Sequence, residues 1–469
     1  MHIDYKKKDT EETIYIVSSK SYAHRLILMG AFALFLSENK VKNKISYKIK
    51  GISEDIYASL SIVEELGLRV EINPEKNKLE ISKVEGVNKD DFIVPKRNEY
   101  LKINCQRSGS TLRFVIGILA LLGEKAYIDA DDQLKKRPLG DLIDALKKSG
   151  IEFSSDSLPF FMSGRVKDYD FKISASVSSQ YISGLMMGIA LAQKRGTIEV
   201  TSEIKSKSYI DITKDVLGKF GYSISENKLG KDRLKYEIFQ IQGKSQEQTT
   251  FFDREIGIEG DWSNAAFFIG AGILRGKLKI EGLNKNSVQG DRRIIEILKK
   301  MGAKIYWQGP VLLVEESKLR GGLVDLKDIP DLFPILTILA SQTEEGVSFF
   351  NCDRLVYKES NRIISSLDMV QKLSGEFEII RGKELIFSQE GRIEDLTYFK
   401  FKNNDIIRIL PSNLHANRVD SYSDHRIQMA ATIASLICEI LEIKDDKAYK
   451  KSYVDFYRDF VLIGGSYVF

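Results

Sequence analysis

The segment Val177–Ala192, VSSQYISGLMMGIALA, decides how the chain is read. It opens on Ser178, Ser179 and Gln180 and is almost wholly apolar after them. A helix that is apolar on every side belongs in an interior. One serine is enough to cap such a helix, so three polar residues at one start ask for a second purpose.

Five further stretches have the same form: SSKSYAHRLILMGAFALFL, RSGSTLRFVIGILALLG, GDWSNAAFFIGAGILRG, DIPDLFPILTILASQTEEG and YSDHRIQMAATIASLI. With the first they start near Ser19, Ser108, Ser178, Asp261, Asp331 and Asp424. Between them lies a second series of amphipathic segments that end at Gly67, Gly150, Gly221, Gly302 and Gly375 and lead into strand-like runs such as GLRVEI and GAKIYW. A glycine after lysines in the last turn is a helix stop. The spacing within each series is roughly 70–90 residues, which is the mark of an internal repeat. The chain therefore reads as six units of buried helix, strand, amphipathic helix and more strand, three in each half. The most polar stretch near the middle, Gln242–Thr250, is the expected linker.

Bulk properties agree with an ordinary globular chain. It has 469 residues, 43% hydrophobic and 29% charged, with a net charge of +4. That small excess favours small anionic ligands over nucleic acid. Cys105, Cys352 and Cys438 are scattered and odd in number, so neither a disulfide framework nor a zinc ribbon is expected. The charged N-terminal stretch does not read as a signal peptide. No apolar run reaches the ~20 residues that span a bilayer. A cytoplasmic protein without a membrane partner is expected.

Helix N-termini are natural anion sites. Here Lys20, Arg25, Arg113 and Arg426 lie in or near first turns, where the helix dipole disfavours cations. The first three starts use serine, which donates to phosphate, and the last three use aspartate, which moves protons. The loops before the second helices add Arg137, Ser206, the Lys358–Glu359–Arg362 face and Lys451. Taken singly, each is an ordinary cap or surface charge. Their recurrence at equivalent places in the repeat points to one half that holds anions and another that supplies acid–base groups.

The motifs SKSYAHR, SGSTLR, RPLGDLIDAL, SSQYISGL, KSYIDIT, EGDWSNAA, GDRR, IPDLFP, YKESNR, YSDHR and KKSYVDF, in this order over nearly the whole chain, resemble the 5-enolpyruvylshikimate-3-phosphate synthase family of enolpyruvyl transferases. The resemblance implies an α/β fold of two similar domains, each of three βαβαββ units with buried inner helices, an inside-out α/β barrel. It implies a discontinuous domain of residues 1–19 plus 247–469 and a continuous one of residues 20–246, with the site in the cleft between them. The implied reaction moves the enolpyruvyl group of phosphoenolpyruvate to the 5-hydroxyl of shikimate 3-phosphate, in a monomer, with no metal or organic cofactor.

By the same resemblance Lys20, Asp331 and Glu359 are catalytic. Asp331 is the base towards the hydroxyl, and Glu359 and Lys20 carry protons at the methylene carbon. Shikimate 3-phosphate falls to Lys20, Ser21, Arg25, Ser178, Ser179, Gln180, Ser206, Asp331 and Lys358. Phosphoenolpyruvate falls to Lys20, Gly109, Arg137, Gln180, Arg362, Arg426 and Lys451. The chain departs from the family pattern at Arg107, Val356, Asn361, Val454 and Ser208. Two rival readings are a UDP-N-acetylglucosamine enolpyruvyl transferase and a non-catalytic anion-binding relative. Against the first, DADDQLKKRP lacks the cysteine that family carries there; against the second, a binder needs no acid–base set.

Overall fold

The computed structural model describes residues 1–6, 12–37, 43–84, 100–204, 206–230, 233–241, 255–438, 441–444 and 447–468. Its helices of seven or more residues, in chain order, are α1 (Lys20–Leu36), α2 (Glu54–Glu65), α3 (Gly109–Leu122), α4 (Gly140–Lys148), α5 (Gln180–Leu191), α6 (Ser208–Lys219), α7 (Trp262–Arg275), α8 (Ile294–Lys300), α9 (Phe333–Ser341), α10 (Arg362–Lys372), α11 (His425–Ala434) and α12 (Phe456–Leu462). The odd-numbered helices are the apolar segments read from the sequence. Every residue of α9 is buried, as is every residue of α5 beyond Gln180.

The amphipathic series supplies α2, α4, α6, α8 and α10. Four of their stops are left-handed glycines, Gly67 (φ 74°), Gly150 (φ 105°), Gly221 (φ 84°) and Gly302 (φ 102°). The fifth differs. Ser374 takes the left-handed position at φ 65°, and Gly375 is there for space, since a Cβ would lie 2.6 Å from Val370 Cγ1.

The described strands form six open sheets, and none closes into a barrel. Each contains one parallel pair followed by antiparallel neighbours. In one, Leu101–Asn104 runs parallel to Ala126–Asp129, which pairs antiparallel with Phe160–Gly164 and through it with Ile151–Phe153. The same order recurs for Asp170–Ile173 and Gly196–Val200, and for Gly322–Asp325 and Val347–Phe350. The N-terminal strand His2–Tyr5 pairs with Leu441–Lys444 and Gly465–Val468.

Two compact units result, Ser18–Ile258 and Met1–Val17 with Glu259–Phe469. The first has one core around α1, α3 and α5, and the second has its own around α7, α9 and α11. The crossings were expected near residues 19–20 and 246. The linker Gln242–Thr250, with the crossing placed at residue 246, lies outside the described residues. The division falls after Ile258 because Glu255–Gly257 pairs in parallel with Ser46–Lys48 of the continuous unit. That pairing joins residues about two hundred positions apart, and no local pattern announces it.

In the continuous unit α3 and α5 approach backbone to backbone. A Cβ on Gly117 would lie 2.6 Å from Gly184 C, and one on Gly184 would lie 2.5 Å from Arg113 O. These contacts are with main chain, which cannot swing aside. Gly184→Leu is therefore expected to destabilise the unit by roughly 3 kcal/mol or more. Chemical denaturation followed by circular dichroism measures this; an unchanged midpoint would mean that the helices are not so closely apposed.

Candidate active site

Each parallel pair delivers two loops side by side at its carboxyl ends, where α/β sheets place ligands. Asn104 and Asp129 are register partners, so the turn into α3 emerges beside the Arg137 loop. Ile173 and Val200 are partners, which puts the Ser178–Ser179 loop next to that of Ser206. Asp325 pairs with Phe350 ahead of Asp331 and Lys358, and Asp420 pairs with Lys444 ahead of Asp424 and Lys451. The repeat read from the sequence thus becomes a repeated juxtaposition of polar loops.

In the continuous unit Lys20 Nζ bridges to Asp55 Oδ2 at 2.8 Å. Arg25 is 1% exposed and turned into the unit. Its Nε donates to Thr213 Oγ1 (2.7 Å), Nη1 to Ser21 O (2.7 Å), and Nη2 to Tyr209 O (2.9 Å) and Ser183 Oγ (3.3 Å). Burial pushes Arg25 down to about 9, so it stays charged at neutral pH. These four bonds show a guanidinium that organises α1, α5 and α6, beyond the ligand role drawn from the resemblance.

The start of α5 separates the jobs of its three polar residues. Ser178 Oγ accepts from the Gln180 N–H at 3.3 Å. Ser179, at the cap position, makes no side-chain cap bond. Both serines are buried, as is Ser206, which holds φ 59°. Gln180 ties α5 to α3: its Oε1 accepts from Arg113 Nη1 at 2.8 Å and its Nε2 donates to Ser110 Oγ at 2.7 Å. Gly109 stands between two guanidiniums, since a Cβ there would lie 2.9 Å from Arg113 Nη1 and 3.1 Å from Arg137 Nη1.

The discontinuous unit holds a buried ionic network. Arg362, 1% exposed, bonds through Nε to Asp424 Oδ2 (2.8 Å), through Nη2 to Glu359 Oε2 (2.6 Å), and through Nη1 to Asp331 Oδ1. Lys358 Nζ lies 3.2 Å from Asp331 Oδ1, Arg426 Nη2 lies 3.2 Å from Asp331 Oδ2, and Lys451 Nζ lies 3.6 Å from Glu359 Oε1. Burial opposes the Arg362 charge, but Asp424, Glu359 and Asp331 outweigh it and hold its pKa well above the ordinary value. Lys358 is lowered, with burial the main cause. In this network Lys358, Arg362, Arg426 and Lys451 meet the carboxylates of Asp331, Glu359 and Asp424.

Asp331 differs from the cap expected of it. It lies inside the 3-10 turn Pro330–Leu332 ahead of α9, and the cap positions fall to Ile329 and Leu332 on either side. Asp261 and Asp424 do cap, accepting from the N–H groups of Asn264 and Arg426 at 2.9 Å each. Asp424 is also the fully buried counter-ion of Arg362. The departures from the family pattern have local uses. Asn361 caps α10, Arg107 is exposed and reaches Gln133 Oε1 at 3.2 Å, and Val356 packs against the core.

One residue in each unit was not singled out as a site residue in the sequence. Arg113 was visible only as a cation in a first turn. Asp291, in Gly290–Arg293, resembles a surface Asp-Arg-Arg run, yet it is buried and accepts from Ser263 Oγ. Burial, then the charge of Asp331, pushes it up to about 7. The folded protein therefore binds a proton there that the unfolded chain releases near pH 4, and this contribution to stability is lost as pH rises towards 7. Asp291→Asn removes the titration. Its stability relative to the parent is expected to rise between pH 4.5 and pH 8 by on the order of 2 kcal/mol. Equal urea-midpoint differences at the two pH values would refute the assignment.

Among the described residues no group of three or more His, Cys, Asp or Glu is placed to hold a metal ion, and no helix is long and apolar enough to cross a membrane.

The family model for EPSP synthase (3-phosphoshikimate 1-carboxyvinyltransferase) matches residues 5–460. The chain belongs to the EPSP synthase family. The 3-phosphoshikimate 1-carboxyvinyltransferase of Clostridium kluyveri is 33% identical over 458 residues, covering 97% of this chain and 95% of the relative. That of Clostridium novyi is 34% identical over 457 residues, covering 96% and 95%. Among solved structures, an EPSP synthase from Acinetobacter baumannii superposes with a TM-score of 0.71 at 19% identity, covering 99% of this chain and all of that one. The enolpyruvyl transferase NikO from Streptomyces tendae gives 0.65 at 12%, covering 99% and 97%. These likenesses bear on the fold.

Proposed function

We propose that the protein transfers the enolpyruvyl group of phosphoenolpyruvate to the 5-hydroxyl of shikimate 3-phosphate and releases phosphate. The observation that carries this reading is the buried network in which Asp331 and Glu359 stand among Lys358, Arg362, Arg426 and Lys451. The reaction needs charge neutralisation for anionic substrates together with positioned acid–base groups, and the network offers both.

In this reading the 5-hydroxyl oxygen bonds to C2 of phosphoenolpyruvate, Asp331 takes the hydroxyl proton, and a proton adds to C3. The tetrahedral adduct then loses a proton from C3 and expels phosphate. Glu359 and Lys20 carry the C3 protons. Arg362, Arg426 and Lys451 hold phosphoenolpyruvate with Arg137 and the Gly109 helix start. Lys20, Ser178, Ser179 and Ser206 hold the shikimate phosphate. Ser21, Arg25, Gln180 and Lys358 act on the rest of that substrate, Arg25 chiefly by fixing α1 against α6.

A phosphate-release assay tests the reading. Turnover is expected with phosphoenolpyruvate plus shikimate 3-phosphate and not with UDP-N-acetylglucosamine as acceptor. Turnover on the nucleotide sugar, or binding of shikimate 3-phosphate without turnover, would overturn it. The three cysteines are all buried, and burial raises the Cys105 thiol, which suits a site without a reactive thiolate. Replacing Ser178 and Ser179 together by alanine is expected to weaken shikimate 3-phosphate by about a hundredfold or more, because hydrogen bonds to a charged group are worth about 1.5–3 kcal/mol each. Calorimetry reads this directly, and an affinity within threefold would move the phosphate elsewhere.

A further inference from the structure

A buried polar chain joins α1 to the start of α3, and none of the roles assigned above uses it. His24 sits one turn beyond Lys20 and is fully buried. α2 meets α1 in two rungs of equal spacing: Lys20 Nζ to Asp55 Oδ2 at 2.8 Å, and His24 Nδ1 to Ser59 Oγ at 2.8 Å. Ser59 Oγ lies 2.8 Å from Thr111 Oγ1, which donates to Ser108 Oγ at 2.9 Å. Ser108 Oγ also accepts from the Thr111 N–H at 3.4 Å, which makes it the cap of α3.

The protons in this chain have only one arrangement. A hydroxyl has a single hydrogen. That of Thr111 goes to Ser108, so Ser59 must donate to Thr111, and its own hydrogen is then engaged. Ser59 therefore accepts from His24, which fixes the imidazole as the Nδ1–H tautomer. Nε2 keeps a buried lone pair with no hydrogen-bond partner among the described residues. Burial lowers His24 to about 3; Lys20 and Arg25 push the same way, and Asp55 opposes them. The ring is neutral at working pH, and the chain points one way, from α1 through α2 to the cap beside Gly109.

We infer that His24 is a positioning residue for the phosphoenolpyruvate side of the site: its Nδ1–H sets the direction of the Ser59–Thr111–Ser108 chain and thereby holds the Gly109 start of α3. The inference rests on the reading that this helix start, with Arg137, holds phosphoenolpyruvate. Aligned hydrogen bonds reinforce one another in a low-dielectric interior, so loss of the first donor is felt at the last acceptor.

His24→Asn places an amide nitrogen near the position of Nδ1, whereas His24→Leu offers no donor. The leucine variant is expected to raise KM for phosphoenolpyruvate about tenfold, the equivalent of one net hydrogen bond. Its affinity for shikimate 3-phosphate alone, by calorimetry, should stay within twofold. The asparagine variant should return KM to within threefold of the parent. Nitrogen-15 NMR of the parent should show His24 as Nδ1–H from pH 5 to 9. An Nε2–H tautomer, equal weakening of both substrates, or no rescue by asparagine would overturn the inference. If the leucine variant does not fold, Ser59→Ala, which cuts the same chain, is expected to give the same KM effect. Gly109→Ala separates the two layers. If it raises KM for phosphoenolpyruvate while His24→Leu does not, the inference fails and the site reading stands; if Gly109→Ala leaves KM unchanged, both fall.

Discussion

Replacing Arg362 by methionine is expected to abolish turnover and to cost the discontinuous unit about 3–5 kcal/mol of stability. The guanidinium is buried and bridges Asp331, Glu359 and Asp424, which lie on three separate segments. Without it, Asp424 stays buried with hydrogen bonds from Ser360 Oγ and the Arg426 N–H but without the guanidinium that now offsets its charge. Lysine is not a substitute, because a single ammonium cannot reproduce the planar fork that meets three carboxylates. Arg362→Lys should therefore lose at least about a hundredfold in kcat/KM for phosphoenolpyruvate, and Arg362→Met about ten-thousandfold, the sum of a lost anion clamp and a displaced Asp331. The stability deficit of the methionine variant should narrow as pH falls towards 4, where the uncompensated carboxylates take up protons. Denaturant midpoints at pH 4.5 and 8, with phosphate-release kinetics, measure both effects. A methionine variant of parental stability, or one whose KM for phosphoenolpyruvate stays within threefold, would show that Arg362 is not the keystone of this network.

How much of this was legible in the sequence follows from the range of the interactions. The six buried helices were legible because apolar residues all round a helix leave no other place for it. The glycine stops were legible because a left-handed residue is a local demand, and Ser374 shows the limit of that logic: the chain met the same demand with a serine and used Gly375 for packing. The pairing of Glu255–Gly257 with Ser46–Lys48 was not legible, because it is a matter of tertiary contact. At the site, residue types and spacing pointed to Ser178, Ser179 and Gln180 as a group, but only the fold shows Gln180 tied to Arg113 and Ser110. Within GDRR, Asp291 was not legible as a site residue because its environment comes from Ser263 and Asp331 on other segments, while two arginines follow it in sequence.

Asp331→Asn is expected to lower kcat about a thousandfold while leaving KM for phosphoenolpyruvate unchanged or lower. The carboxylate stands on a turn whose backbone is fixed by Pro330, and Arg362, Lys358 and Arg426 hold its two oxygens in place. An amide of nearly the same shape keeps the turn and removes the negative charge. Three cations then face the ligand with one fewer internal counter-charge, so anion binding does not suffer. What is lost is the group proposed to take the hydroxyl proton, and the loss of such a base is worth about 10²–10⁴ in rate. A fall in kcat without a rise in KM is the signature of an interaction made in the transition state. The same substitution reports on Asp291, because the charge of Asp331 is, after burial, the main reason for its elevation to about 7. In Asp331→Asn the pH range over which Asp291 affects stability should move downward, towards the ordinary carboxylate range. A variant with kcat within tenfold of the parent would remove Asp331 as the base. A variant with the expected kcat but an unmoved Asp291 titration would keep the base and break the coupling, because the two carboxylates would then not share one electrostatic environment.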